Sequence, residues 1–169
     1  MNRDIRAALD QSRRQRGAAT LSPDGMYRYM LGRVLDGASE QIEEHVGECT
    51  FIMLNPSTAD GMMDDPTIRK CRKFAARWGY SRLRVVNLFA YRATNPAELL
   101  LAADPVGPQN NQNTLHWSSL TNKIICAWGS GYSDYLRRDE YVTHLLADYN
   151  LWALHINKDG SPKHPLYCR

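Results

Sequence analysis

Four short apolar runs, Cys49 to Leu54, Leu83 to Leu88, Ile124 to Trp128 and Leu151 to Ile156, recur along the chain with helix-length segments between them. A run such as Phe51 to Leu54 has no polar face to turn to water, so it suits a strand covered on both sides. Strands of that kind run parallel, and parallel neighbours need crossovers of helical length. The pattern predicts an α/β fold: a three-layer sandwich with a mainly parallel four-stranded sheet and helices on both faces. Right-handed crossovers then bring all the strand carboxyl ends to one side.

Each run ends in a polar elbow. From Thr50 to Thr67 the sequence reads TFIMLNPSTADGMMDDPT, which crowds Asn55, Ser57, Thr58, Asp60, Asp64 and Asp65 behind the first run. Pro56 removes a backbone donor and stops the ladder there. The second run delivers Asn87, Tyr91 and Arg92, the third Gly129-Ser130-Gly131, and the fourth NKDGSPKH from Asn157 to His164. Such elbows face the crevice in which open α/β sheets bind ligands.

Between the elbows, Asp65 and Pro66 mark a helix start, and Ile68, Cys71, Phe74, Ala75 and Trp78 supply its apolar stripe up to Gly79. Asn110 to Leu120 and the stretch around Tyr135 to Leu146 read as further helices. Tyr27 to Leu35 fits a short helix or a strand equally well.

At 169 residues and 43% apolar letters the chain can bury one core without staples, so residues 21–169 read as a single domain. Residues 1–20 form a basic arm, in which Arg3, Arg6, Arg13, Arg14 and Arg16 outweigh Asp4 and Asp10 while the remainder is formally neutral. The arm is either a solvent-facing or helical extension or a phosphate contact. Cys49, Cys71, Cys126 and Cys168 are scattered without metal-site spacing, which suits a reducing compartment. With no signal-like segment and no apolar run near the roughly 18 residues of a membrane span, the expectation is a cytoplasmic protein without a membrane partner. GxSxG, HExxH and GxGxxG are all missing from the sequence, which ranks hydrolase-elbow, zinc-protease and dinucleotide readings low. The tryptophans read as packing residues.

The segments LNPSTADG, DDPTIRKC, RWGY, VVNLFAYRATNP, ADPVGPQN, AWG and KDGSPKHPLY resemble a bacterial and phage family known as domain of unknown function 1643. More distantly, the order of motifs is similar to the uracil-DNA glycosylase superfamily. Leu54-Asn55-Pro56-Ser57 resembles its first motif in the mismatch-specific form, Asn87 stands where an asparagine reads the base edge, and His164-Pro165 resembles its late motif. The chain departs from that pattern at Leu54, where a glycine often stands, and at Leu166, where a serine usually follows the proline. The resemblance implies a glycosylase-like fold and no cofactor.

Taken on their own chemistry, these residues fit cleavage of an N-glycosidic bond, which creates a positive sugar and a negative base. Asn55 can hold a water, Asp60, Asp64 or Asp65 can activate it or steady the cation, and His164 can donate to the leaving base. Asn87 offers both donor and acceptor to a base edge, with Tyr91 and Arg92 as stacking or clamping partners. Ser57, Thr58, Arg69, Ser130 and Lys158 are candidate phosphate or substrate contacts. Plainer roles compete: an Asx-turn for Asn55, backbone bonding for His164, capping for the aspartates, a simple turn for Lys158. The aspartates can alternatively hold Mg²⁺. The expectation is a protein that recognises a nucleobase or nucleotide, alone or in nucleic acid. A non-catalytic nucleic-acid module and a Mg²⁺-dependent phosphoryl or nucleotidyl enzyme are the alternatives.

Overall fold

The computed structural model describes residues 17–35, 47–57 and 63–169. They form one sheet of six strands, β1 (Gly17–Leu21), β2 (Arg28–Val34), β3 (Glu48–Met53), β4 (Arg82–Asn87), β5 (Lys123–Cys126) and β6 (Leu151–Ala153), in the order β1-β2-β4-β3-β5-β6. The four expected strands are β3 to β6, and they are mutually parallel. The sheet is larger and mixed, because β1 and β2 form an antiparallel hairpin laid against β4. The ambiguous segment from Tyr27 is therefore strand. Tyr29, Met30 and Leu31 are consecutively buried, as a strand covered on both faces requires and a two-sided helix does not. Residues 17–20, placed in the arm on sequence grounds, pair with β2, while residues 1–16 lie outside the described residues.

Alternation along the strands splits the core into two layers. Cys49, Phe51 and Met53 of β3 join Leu83, Val85, Ile125 and the stripe Ile68, Cys71, Phe74, Ala75 of helix α1 (Pro66–Arg77). The opposite face gathers Ile52, Val86, Ile124, Cys126 and Trp128 with Val142 and Leu146, under α2 (Asn110–Ser119) and α3 (Arg138–Leu145). Asp65 caps α1 as the sequence predicts, its Oδ1 accepting from Ile68 N–H at 2.8 Å, and Pro66 follows in the first turn. Burial pushes the Cys49 and Cys126 thiols up to about 12 and raises Cys71 as well, whereas Cys168 is partly exposed. No helix among the described residues is long and apolar enough to cross a membrane.

Central β3 has β4 on one side and β5 on the other, so the connections leaving β3 and β5 diverge. That divergence opens a crevice at the carboxyl edge between them, as strand order reversal does in open parallel sheets.

Candidate functional site

A crevice of about 590 Å³ occupies this edge. The loop after β3 contributes Asn55 and Ser57, β4 contributes Asn87, β5 leads into Gly129 and Ser130, and the segment after β6 brings Lys163 and His164. Residues separated by more than a hundred positions thus share one lining, because each follows a parallel strand.

Asn87 is the most unusual member. The residue is 1% exposed, and neither amide atom has a hydrogen-bond partner among the described residues. An unpaired buried polar group costs about 1–3 kcal/mol. Its surroundings are rigid: Asn110 Nδ2 donates to the carbonyls of Asn87 and Leu88, each at 3.0 Å, and Arg138 Nε donates to Leu88 O. The backbone is tied from the α2 side, while alternation with Val86 turns the Asn87 side chain to the α1 side, into the crevice.

Asn55 is oriented by two carbonyls. Its Nδ2 donates to Pro56 O at 3.1 Å and to Ala93 O at 2.9 Å, and Ala93 N–H returns a bond to Pro56 O. The loops after β3 and β4 are stitched together this way. The amide thus acts as a donor to its surroundings, the reverse of the accepting Asx-turn. Neither bond uses Oδ1, and Asn55 is among the residues that line the crevice.

Ser57 donates to Asp65 Oδ2 at 2.6 Å. Asp65 lines the crevice too, but both of its oxygens are engaged, one by Ser57 and one by the end of α1. His164 Nδ1 accepts from Leu166 N–H at 3.3 Å, so the neutral ring carries its proton on Nε2. Desolvation holds its pKa below the usual histidine value, partly offset by the charge of Asp65. The ring is therefore neutral near pH 7, with one N–H to donate.

Other predicted residues lie elsewhere. Asp64 is held by Arg33 at 2.7 Å and Arg72 at 2.8 Å. Desolvation raises its pKa, and the two guanidinium groups outweigh this and keep the carboxyl low. It ties α1 to β2 rather than facing the crevice. Arg69 bonds the Asp64 carbonyl. Tyr91 packs edge-on against Tyr27, and Arg92 donates to Gly25 O, so both fasten the β1–β2 turn. Lys158 is exposed in the turn between Asn157 and Ser161, the plainer of its two readings. Thr58 and Asp60 lie outside the described residues. Among the described residues no group of three His, Cys, Asp or Glu side chains is placed to hold a metal ion.

Several lining residues escaped the sequence reading, chief among them Arg28, Trp128, Lys163 and Tyr167. Arg28 is 2% exposed and begins β2. Because β2 runs antiparallel to β4, its first residue meets β4's carboxyl end, where Arg28 N–H bonds Ala90 O. Only knowledge of that pairing could have placed it. Lys163 and His164 arrive through the hairpin in which Ile156 bridges Pro162, docked by Gly129 N–H on Pro162 O.

Fold and site together define an α/β protein with a polar crevice at the switch point of its parallel strands. The family model described as protein of unknown function (DUF1643) matches residues 28–166, and the chain belongs to that family. No curated protein and no solved structure matches it.

Proposed function

We propose that the crevice binds a nucleobase, within a nucleotide or nucleic acid, and that the reaction its residues suit best is cleavage of an N-glycosidic bond. Asn87 carries the reading: a buried amide with both a donor and an acceptor unused among the described residues complements the paired donor and acceptor of a base edge. Its cost to the free protein is recovered when a ligand supplies both partners. Asn55 Oδ1 positions water beside the sugar, and His164 Nε2–H donates to the base oxygen on which charge develops. The neutral ring that burial favours carries this N–H.

A second reading, recognition without cleavage, draws support from Asp65. It is the one carboxylate in the described lining, and both its oxygens are already bonded. The Mg²⁺-dependent reading would need Asp64 to leave Arg33 and Arg72, which hold it at 2.7 and 2.8 Å. The test is incubation with oligonucleotides and nucleotides carrying uracil, hypoxanthine or hypermodified bases, with released base measured by chromatography. Base release that disappears in Asn87→Ala supports cleavage. Binding without release assigns the crevice to recognition, and neither binding nor release by any base defeats the proposal.

A further inference from the structure

A second depression, of about 480 Å³, lies on the α1 side of β5 and β6 and meets the crevice at Lys163 and Tyr167, which line both. Its walls carry Trp78, Trp152 and Tyr167, at 39%, 54% and 74% exposure. Isolated exposed apolar residues are ordinary, but three aromatic rings around one groove are not. Lys123 stands between two of them, its Nζ 5.1 Å from the Trp78 ring centre and 4.5 Å from that of Trp152. Lys163 and Arg169 add charge, and no Asp or Glu is among the described lining residues.

The neighbouring helix strengthens the same sign. Within PTIRKCRKFAAR, α1 carries Arg69, Lys70, Arg72, Lys73 and Arg77 without one acidic residue. Arg72 is committed to Asp64, while Lys73 and Arg77 are exposed. The other face of the sheet is opposite in character: the open groove beside α3 is lined by Asp134, Asp139, Glu140 and Asp159. The formally neutral remainder of the chain is thus polarised, basic along α1 and acidic in the groove beside α3.

We propose that the groove of Trp78, Trp152 and Tyr167 is a binding track for single-stranded nucleic acid, leading into the crevice. Exposed aromatic faces stack on unpaired bases irrespective of sequence, and interleaved cations follow the phosphates. A duplex offers no free base faces, so the aromatic walls select an unpaired strand. Trp78 also stacks on Phe51 and Phe74, so a base stacks first on Trp152 and Tyr167, with Lys123, which lies over both tryptophan rings in the free protein, as the cation beside them. The track rests on the nucleobase reading of the crevice only for its direction, since binding along the groove is measurable without any reaction.

The probes are fluorescein-labelled 12-nucleotide oligothymidine and oligouridine, the corresponding duplexes, and thymidine and uridine monophosphates, titrated into the full chain. Tight binding of either strand, weaker for its duplex and falling steeply with salt, is the expected result. Trp152→Ala should weaken strand binding about fivefold or more, Trp152→Phe should retain most of it, and neither should alter monophosphate affinity. Lys73→Glu with Arg77→Glu should lower the salt slope. Trp152 is half exposed on an edge strand, so folding should survive, with circular dichroism as the check. Equal strand affinity for wild type and Trp152→Ala, or duplex binding tighter than single strand, overturns the track. Monophosphate binding with no strand binding overturns it while leaving the crevice reading intact. Strand binding that depends on Trp152 but not on Asn87 upholds the track and removes the crevice reading.

Discussion

Gly129 lets the backbone at His164 sit close: a Cβ added at Gly129 would stand 3.2 Å from the His164 Cβ. Gly129 also has φ of 78°, in the left-handed region. Two demands therefore meet at one residue, a turn after β5 and the close seating of the segment that carries His164. Gly129→Ala should cost about 1–2 kcal/mol through backbone strain alone, read as a lower urea midpoint at unchanged slope. It should also weaken ligand binding, because the added methyl pushes His164 from its place. Unchanged binding in a destabilised variant would show that the contact is only structural.

Asn87 should show function and stability in opposition. Replacing it with leucine removes two unpartnered buried polar atoms, so the free protein should be unchanged or stabilised by up to about 2 kcal/mol, while nucleobase affinity falls more than tenfold. Chemical denaturation and titration calorimetry on the same sample check both halves. A clear loss of stability with intact binding would contradict the role given to this residue.

For His164 the native pKa lies below the unfolded value of about 6.5, so the unfolded chain binds the proton first. Its contribution to stability is complete above about pH 6.5 and is lost as the pH falls toward the native pKa. Protonation also abolishes the acceptor used by Leu166 N–H. The melting temperature of wild type should drop between pH 7 and 5 more than that of His164→Gln. Superimposable pH profiles for the two proteins would remove His164 as a cause.

Asp64 is expected to matter for stability and not for binding. Arg33 has a side chain only 3% exposed, and Asp64→Asn takes from it the carboxylate at 2.7 Å, a loss of about 2 kcal/mol for a charged hydrogen bond. In wild type the low carboxyl pKa means this stabilisation is present above about pH 4 and is lost as pH falls through the native value. The measurement is the urea midpoint of Asp64→Asn against wild type, together with ligand affinity at a temperature where both are folded. Lost affinity without lost stability would return Asp64 to the candidate site.

The parallel half of the sheet was legible because its strands are apolar on both faces and end in elbows, and that regularity also indicated which edge the elbows share. Asn87 and His164 were readable as strand-end residues, but the missing hydrogen-bond partners of Asn87 are a property of packing. The hairpin was harder. β2 mixes Arg28, Gly32 and Arg33 with buried apolar residues, so its letters follow neither strand nor helix period cleanly. The packing reading holds for Trp78, which stacks on Phe51 and Phe74, whereas Trp152 is half exposed, and sequence cannot tell a buried ring from one at an exposed edge. Tyr91, Arg92 and Asp64 lie outside the crevice lining for a shared reason: polar side chains near an elbow are as readily used to fasten neighbouring loops as to face a ligand.

The unequal burial of the four thiols makes the molecule its own spectroscopic reporter. Cys49, Cys71 and Cys126 are sealed inside and their ionisation is suppressed, whereas Cys168 is reachable, lines the aromatic groove and donates through Sγ to His164 O at 3.6 Å. A maleimide dye therefore attaches to the native chain at one position without engineering. From there its emission would register both the passage of a strand along the tryptophans and any movement of the histidine segment, in a single titration.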